Sequence, residues 1–263
     1  MKNEILNDLP GNHPWQNQIY WYETLDSTNN LAKKMAADGA PHGTVIIADH
    51  QTAGRGRLGR SFDSPAGSGI YMSVILRPQG KPDRLMHLTC AAAVAMCDAV
   101  ESTCGFRPGI KWINDLVCGS KKLAGILTEL GLSPGTGLVD YAIIGIGINC
   151  SQRNFPPELR GIACSLQTVT GRPIDRAKLA AAMLRELEKM GRKLDEKEAI
   201  LDRYRSDCVT LGAQVAVLRD SLRRTGTAIG MDSDGALIIR FDDGTTETVN
   251  TGEVSVRGLY GYS

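Results

Sequence analysis

The sequence predicts an α+β fold in two parts: a mixed β-sheet domain with flanking helices over residues 1–209, then a small all-β domain over 210–263. Three observations carry this. In the first part, β-branched apolar runs alternate with helix-period stretches. From about residue 211 the texture changes to short strands (QVAVLRD, RTGTAIGMD, GALIIRF, TETVN, EVSVRG) broken by Gly and Asp turns, the pattern of a small barrel or sandwich. A chain of 263 residues that is 42% hydrophobic is also long enough for one large core and one small one.

Taken in order, residues 19–24 (IYWYET) are aromatic and β-branched and predict a strand. Asp26, Ser27 or Thr28 then caps a helix that runs to Ala37 and is ended by Gly39. Residues 44–49 (TVIIAD) predict a buried strand, and 70–76 (IYMSVIL) another. Residues 83–103 are alanine-rich with apolar positions recurring at three and four, so one long helix is expected there. Two short extended pieces (IKWIND, LVC) lead through a GSKK turn at 119–122 to strands within LAGILTEL and YAIIGIGIN, expected to pair. Asp175 caps a helix whose apolar face is Leu179, Met183, Leu184 and Leu187; Gly191 marks a weak point before a second helical piece near 196–206.

Composition excludes several classes of function. Net charge is +1, and residues 210–263 hold five arginines against seven acids, so neither DNA nor a membrane surface is an expected partner. No apolar run approaches the roughly 20 residues of a membrane span, and residues 1–15 lack a signal-peptide core, which predicts a cytoplasmic protein. The seven cysteines include no C-x-x-C pair; Cys90, Cys97 and Cys104 recur every seven residues, as core positions on one helix do. The four histidines show no ligand spacing, so no metal site made of side chains is expected.

One stretch carries chemistry openly. Residues 54–60 read GRGRLGR, which satisfies G-x-G-x-x-G and follows a predicted strand. A dinucleotide fingerprint must open a helix, whereas SFDSPAGSG comes next and predicts a loop. Three arginines and no acid lie between His50 and Phe62, so charge for an anionic ligand comes from side chains, with glycines permitting close approach. Downstream, KWINDL (111–116) groups Lys, Trp, Asn and Asp, Lys122 stands at the mouth of an apolar strand, and Gly125 and GIGIN (145–149) signal something held close against strand backbone.

In order along the chain, D-S-T-N (26–29), Q-x-x-G-R-G-R-x-G-R (51–60), K-W-x-N-D (111–115), K-L-A-G-I-L (122–127), G-I-G-I-N (145–149) and A-x-S-L (163–166) resemble the motifs of biotin protein ligases. The resemblance covers nearly the whole chain and makes the C-terminal part an expected SH3-like barrel. About 18 residues precede the first strand, too few for the helix-turn-helix of bifunctional members, so the ligase-only class is the one resembled. Leu58, Ile113 and Phe62 depart from the family's common basic residue, proline and tryptophan.

The resemblance implies an ATP-dependent biotin–[acetyl-CoA-carboxylase] ligase that forms biotinyl-5′-AMP and passes biotin to a lysine of a biotin carboxyl carrier protein, with Mg²⁺ accompanying ATP. It assigns biotin to Ser27, Thr28, Gln51, Arg55, Gly56, Arg57, Lys122, Gly125 and Gly147. Asn29 either joins them or orders its turn. ATP falls to Arg57, Arg60, Phe62 (near the adenine), Asn114, Lys122 and Asn149, with Lys122, Arg57 and Arg55 catalytic. Asp115 orients an arginine or a metal-bound water. Residues near 54–65 are expected to order around the ligand. Some family members pair through sheet edges, so a homodimer is one state the resemblance allows. A lipoate ligase and a non-catalytic sensor are the competing readings.

Overall fold

In the computed structural model, which describes residues 1–219, 222–250 and 255–258, two sheets form. The first has seven strands: β1 (Ile19–Leu25), β2 (Thr44–Gln51), β3 (Gly69–Leu76), β4 (Gly109–Lys111), β5 (Asp115–Cys118), β6 (Lys121–Leu132) and β7 (Val139–Asn149). Their spatial order is β1-β2-β3-β7-β6-β5-β4; β1 and β2 run parallel, and every other neighbouring pair is antiparallel.

Side chains alternate across this sheet with the strand period of two. Val45 and Ile47, Val74 and Leu76, and Ile144, Ile146 and Ile148 enter the main core. That core is filled by α3 (Leu88–Cys104), α5 (Arg176–Arg192), α6 (Lys197–Asp207) and α1 (Lys2–Asp8). On the opposite face Ile46, Ile75 and Ile143 meet Ala32 and Ala36 of α2 (Thr28–Ala37). The same alternation sends Ser73, Gly145, Gly147, Gly125 and Leu127 to this second face, beyond the N-terminus of α2. Register lines them up in two rows, Tyr71–Gly147–Gly125 and Ser73–Gly145–Leu127.

The second sheet is antiparallel, in the order β11-β10-β9-β8-β12, from β8 (Gln214–Arg219), β9 (Leu222–Met231), β10 (Leu237–Phe241), β11 (Thr246–Val249) and β12 (Ser255–Gly258). It joins the first part through Trp112, whose indole Nε1–H donates to the Gly235 carbonyl at 2.9 Å and whose backbone N–H donates to Thr210 Oγ1 at 2.9 Å, both buried.

Three elements differ from the sequence reading. The helix expected from residue 83 begins at Leu88, because Pro82 opens a separate 3₁₀ turn over Pro82–Leu85. A short α4 (Leu166–Thr170) appears where no helix is expected: Ser165 and Thr168 cap each other, a box built without the usual Glu or Gln. The N-terminal α1 also went unforeseen, its one buried residue being Ile5. The weak point expected at Gly191 holds: α5 ends at Arg192, one residue later, and α6 follows from Lys197. Cys90, Cys97 and Cys104 are buried along α3 as free thiols; burial drives the Cys90 and Cys97 thiols far up from their ordinary value.

Candidate active site

A cleft opens on the second face of the large sheet. Its lining includes Ser27, Thr28 and Asn29 from the start of α2, Gln51 from the end of β2, Arg55, Gly56, Arg57 and Phe62 from the following loop, Asn114, and Lys122, Gly125 and Gly147 from β6 and β7. Residues from five sequence segments thus meet in one place, as the order of the motifs predicted only by resemblance.

The glycines explain the depression. A Cβ on Gly147 would lie 2.5 Å from Phe62 Cε1, and one on Gly125 would lie 3.2 Å from the end of Lys122 and 3.4 Å from Phe62 Cε2. The Phe62 ring therefore rests on the glycine row, edge-on to Tyr71 with centroids 6.4 Å apart. Expected beside adenine, this ring stands on the floor assigned to biotin. Gly145 serves a different neighbour. Its Cβ would come within 2.7 Å of the Asn29 amide carbon.

At the start of α2, Ser27 occupies the N-cap position but makes no capping bond with its side chain. Gln51 does that work from β2. Its Oε1 accepts from Thr28 N–H at 2.9 Å and from Thr28 Oγ1 at 3.1 Å, and its Nε2 donates to Ser64 Oγ at 2.9 Å. Buried Ser73, absent from the expected site, donates within hydrogen-bond distance of Thr28 Oγ1 (2.8 Å) and Asn29 Oδ1 (2.6 Å). Asn29 is spent on protein partners: Nδ2 donates to Glu129 Oε2 at 2.9 Å and reaches the Leu127 carbonyl at 3.4 Å. Of the two roles left open for it, ordering the turn is the one this geometry serves.

The glycine–arginine stretch is a small hairpin. Arg55 and Ser61 form an antiparallel bridge, Gly56 N–H donates to the Arg60 carbonyl at 2.7 Å, and Phe62 N–H donates to the Gly54 carbonyl at 2.9 Å. A 3₁₀ turn over Arg57–Gly59 closes it, with Leu58 in left-handed conformation at φ 54° and Gly59 at 72°. No α-helix follows, as the sequence indicated. Expected to order only around a ligand, the segment already carries its own backbone bonds.

Its arginines diverge. Arg57 donates to Asn114 Oδ1 at 2.9 Å. Burial pushes its guanidinium down from the ordinary value, Asp115 pulls it back up, and Arg60 adds to the lowering. An arriving anion would therefore relieve a partly desolvated cation. Arg55 instead grips Glu129 with two parallel bonds, both 3.1 Å. Lys122 Nζ lies 2.7 Å from Asp115 Oδ1 and 5.9 Å from the Phe62 ring centroid. Asp115 thus pairs with the lysine and lends charge to Arg57, which bears on the role the sequence left undecided. Asn114 is fixed by Ile126, donating to its carbonyl and accepting from its N–H, each at 2.9 Å.

Two expected ATP contacts fall outside the lining. Asn149 is buried and donates its amide to the Cys164 carbonyl at 3.1 Å, bracing the segment whose Cys164 N–H donates to the Lys122 carbonyl at 2.8 Å. Arg60 is exposed at the hairpin rim. Missed residues are Ser73 and Glu129. Strand alternation could have revealed Glu129, since it shares a face with Gly125 and Leu127 on an apolar strand.

A mixed sheet with flanking helices and a following β domain, holding a glycine-floored cleft lined by Arg, Lys and neutral polar groups, defines a protein with a site suited to a small anionic ligand. The comparisons specify it. Residues 21–149 match the biotin/lipoate A/B protein ligase family, and 210–257 match the biotin protein ligase C-terminal domain. The bifunctional ligase/repressor BirA of Bacillus subtilis is 38% identical over 248 residues, covering 93% of this chain and 73% of that protein. The biotin–[acetyl-CoA-carboxylase] ligase of Mycobacterium tuberculosis is 35% identical, covering 87% and 85%. Biotin protein ligase from Aquifex aeolicus in complex with biotin and ATP superposes with a TM-score of 0.77 at 30% identity, covering 92% of this chain and 99% of that one. The chain belongs to the biotin protein ligase family, and is an ATP-dependent ligase.

Proposed function

We propose that this enzyme activates biotin with ATP to biotinyl-5′-AMP and then transfers the biotinyl group to a lysine of a biotin carboxyl carrier protein in the cytoplasm, residues 1–209 carrying the chemistry. The observation that carries this is the make-up of the cleft: Arg57, Asn114 and Lys122 line it together with Ser27, Thr28 and Gln51, and Gly125 and Gly147 floor it.

In the first step a carboxylate oxygen of biotin attacks the α-phosphorus of ATP and pyrophosphate leaves. Two unit charges about 4 Å apart repel by roughly 4 kcal/mol at an effective dielectric of 20. Arg57 and Lys122 offset this with fixed positive charge where it develops. The neutral polar groups receive the ureido ring, for which Gln51 keeps one amide N–H. Phe62 swings off Gly147 and Gly125 as the ring enters and then covers the adenylate. In the second step the neutral amine of the carrier lysine attacks the acyl carbon, AMP departs, and the amine loses its proton.

Among the described residues no group of three His, Cys, Asp or Glu side chains could hold a metal ion. Mg²⁺ carried on the ATP phosphates needs no such cage, since it keeps several waters and is bound largely through the phosphates. There it would neutralise phosphate charge, and Asp115 is the carboxylate paired with Lys122 at 2.7 Å.

Biotin-dependent exchange of labelled pyrophosphate into ATP tests the reading directly, with lipoate as control. Exchange with biotin, followed by transfer of label to a carrier domain, is the expected result. Exchange with lipoate alone, or biotin binding without exchange, would replace it with one of the competing readings.

A further inference from the structure

We infer that Glu129 is a positioning residue: its carboxylate latches Arg55 and thereby fixes the base of the glycine–arginine hairpin over the cleft, leaving Arg57 at the turn to meet the anion.

Glu129 collects four hydrogen bonds from two parts of the chain. Oε1 accepts from Arg55 Nη2 (3.1 Å) and Lys33 Nζ (3.2 Å); Oε2 accepts from Arg55 Nη1 (3.1 Å) and Asn29 Nδ2 (2.9 Å). Arg55 Nη1 also donates to Asn30 Oδ1 at 3.0 Å. The forked pair fixes direction as well as distance, because planar guanidinium and carboxylate match at two points. Within the pair the acid is the more enclosed partner, with 18% of its side chain exposed against 38% for Arg55. Burial works to raise the Glu129 carboxyl, yet the bonds from Asn29, Arg55 and Lys33 outweigh it and hold it below its ordinary value.

Geometry carries this hold to the catalytic end. Arg55 is one half of the bridge to Ser61, and the bonds Gly56 N–H to Arg60 and Phe62 N–H to Gly54 flank that bridge. Pinning Arg55 pins the whole hairpin, and Arg57 follows two residues later. Without the carboxylate, Lys33 and Arg55 would face each other as like charges, and the hairpin would be pushed off α2 and β6. Two adjacent arginines of one motif thus take separate duties. Arg55, expected from resemblance to touch the biotin carboxylate, is an anchor; Arg57 binds.

This rests on the proposed function for its ligand, so the test has one arm that needs none. In the protein alone, amide exchange at residues 54–62 is expected to speed up about tenfold in Glu129→Gln and in Arg55→Met. Arg55 is the more exposed partner, so the second variant keeps the test intact if the first folds poorly. In the other arm, added biotinyl-5′-AMP should dissociate about fivefold faster from each variant, and no faster from the double variant than from either single one. Unchanged exchange in both single variants overturns the latch. Additive effects on dissociation also overturn it, because Arg55 would then be contacting ligand independently of Glu129. If the wild type does not retain biotinyl-5′-AMP, the functional reading fails while the exchange arm still decides the latch.

Discussion

Gly145 and Gly147 sit two residues apart on one strand face, and the structure sets them opposite fates on substitution by alanine. A Cβ on Gly145 would lie 2.7 Å from the amide carbon of Asn29, and closer still to Oδ1. Strand β7 is central and hydrogen-bonded on both sides, so the amide must move. Moving it breaks the contacts to Ser73 Oγ (2.6 Å), Glu129 Oε2 (2.9 Å) and the Leu127 carbonyl (3.4 Å). At about 1 kcal/mol each, with the one to a carboxylate worth somewhat more, the loss is roughly 3–4 kcal/mol. Alanine returns about 0.5–1 kcal/mol by restricting the unfolded chain. Gly145→Ala should therefore destabilise by about 2–3 kcal/mol.

At Gly147 the obstacle is the edge of Phe62, 2.5 Å away on a half-buried ring within the segment between β2 and β3. That ring can rotate aside, so Gly147→Ala should change stability by less than about 1 kcal/mol while filling the floor of the cleft and weakening biotin binding. Urea unfolding followed by fluorescence, paired with titration calorimetry, measures both quantities. Equal destabilisation by the two substitutions would refute the assignment of different neighbours. So would a Gly145→Ala protein within about 0.5 kcal/mol of wild type.

Three further outcomes are expected. Lys122→Ala should slow adenylate formation by about 10²-fold or more, as removal of a transition-state donor does, with biotin affinity changed far less; single-turnover kinetics separates the two, and a pure binding defect contradicts the role. Arg57→Gly should speed release of biotinyl-5′-AMP, measured by trapping free adenylate, since it removes the desolvated cation beside Asn114. Stability should also depend on pH through His13. Burial lowers its pKa from the ordinary 6.5, with Glu188 working the other way, so its contribution is complete above 6.5 and is lost as pH falls through the lowered value. The urea midpoint should drop between pH 7.5 and pH 5.5, and His13→Asn should flatten that drop; an unchanged slope in the variant would assign it to other groups.

Much of the fold was legible because its signals are local. Short apolar runs marked β2, β3, β6 and β7, Asp175 marked the start of α5, and Gly119 at φ 56° is the turn that GSKK suggested. The helix that starts late, at Leu88, shows the limit of periodicity: apolar spacing continues through 83–87, and only the 3₁₀ turn at Pro82 decides that the α-helix waits. The site divides the same way. Strand glycines signalled close approach, but what approaches is a matter of packing, namely Asn29 at Gly145 and Phe62 at Gly147.

By itself, then, the sequence determined the chemistry available: arginines spaced by glycines with no acid among them, a lysine at a strand mouth, and neutral polar residues opening a helix. These are properties of residue type and short spacing. Tertiary structure alone decided their allegiance. Arg55 and Arg57 are indistinguishable in the motif, yet one faces a carboxylate 74 residues away and the other an amide 57 residues away. Asn149, in a matching motif, turns its amide inward to Cys164. Such pairings depend on sheet register and on which face of β6 meets α2, and a chain of local preferences contains neither until the strands have assembled.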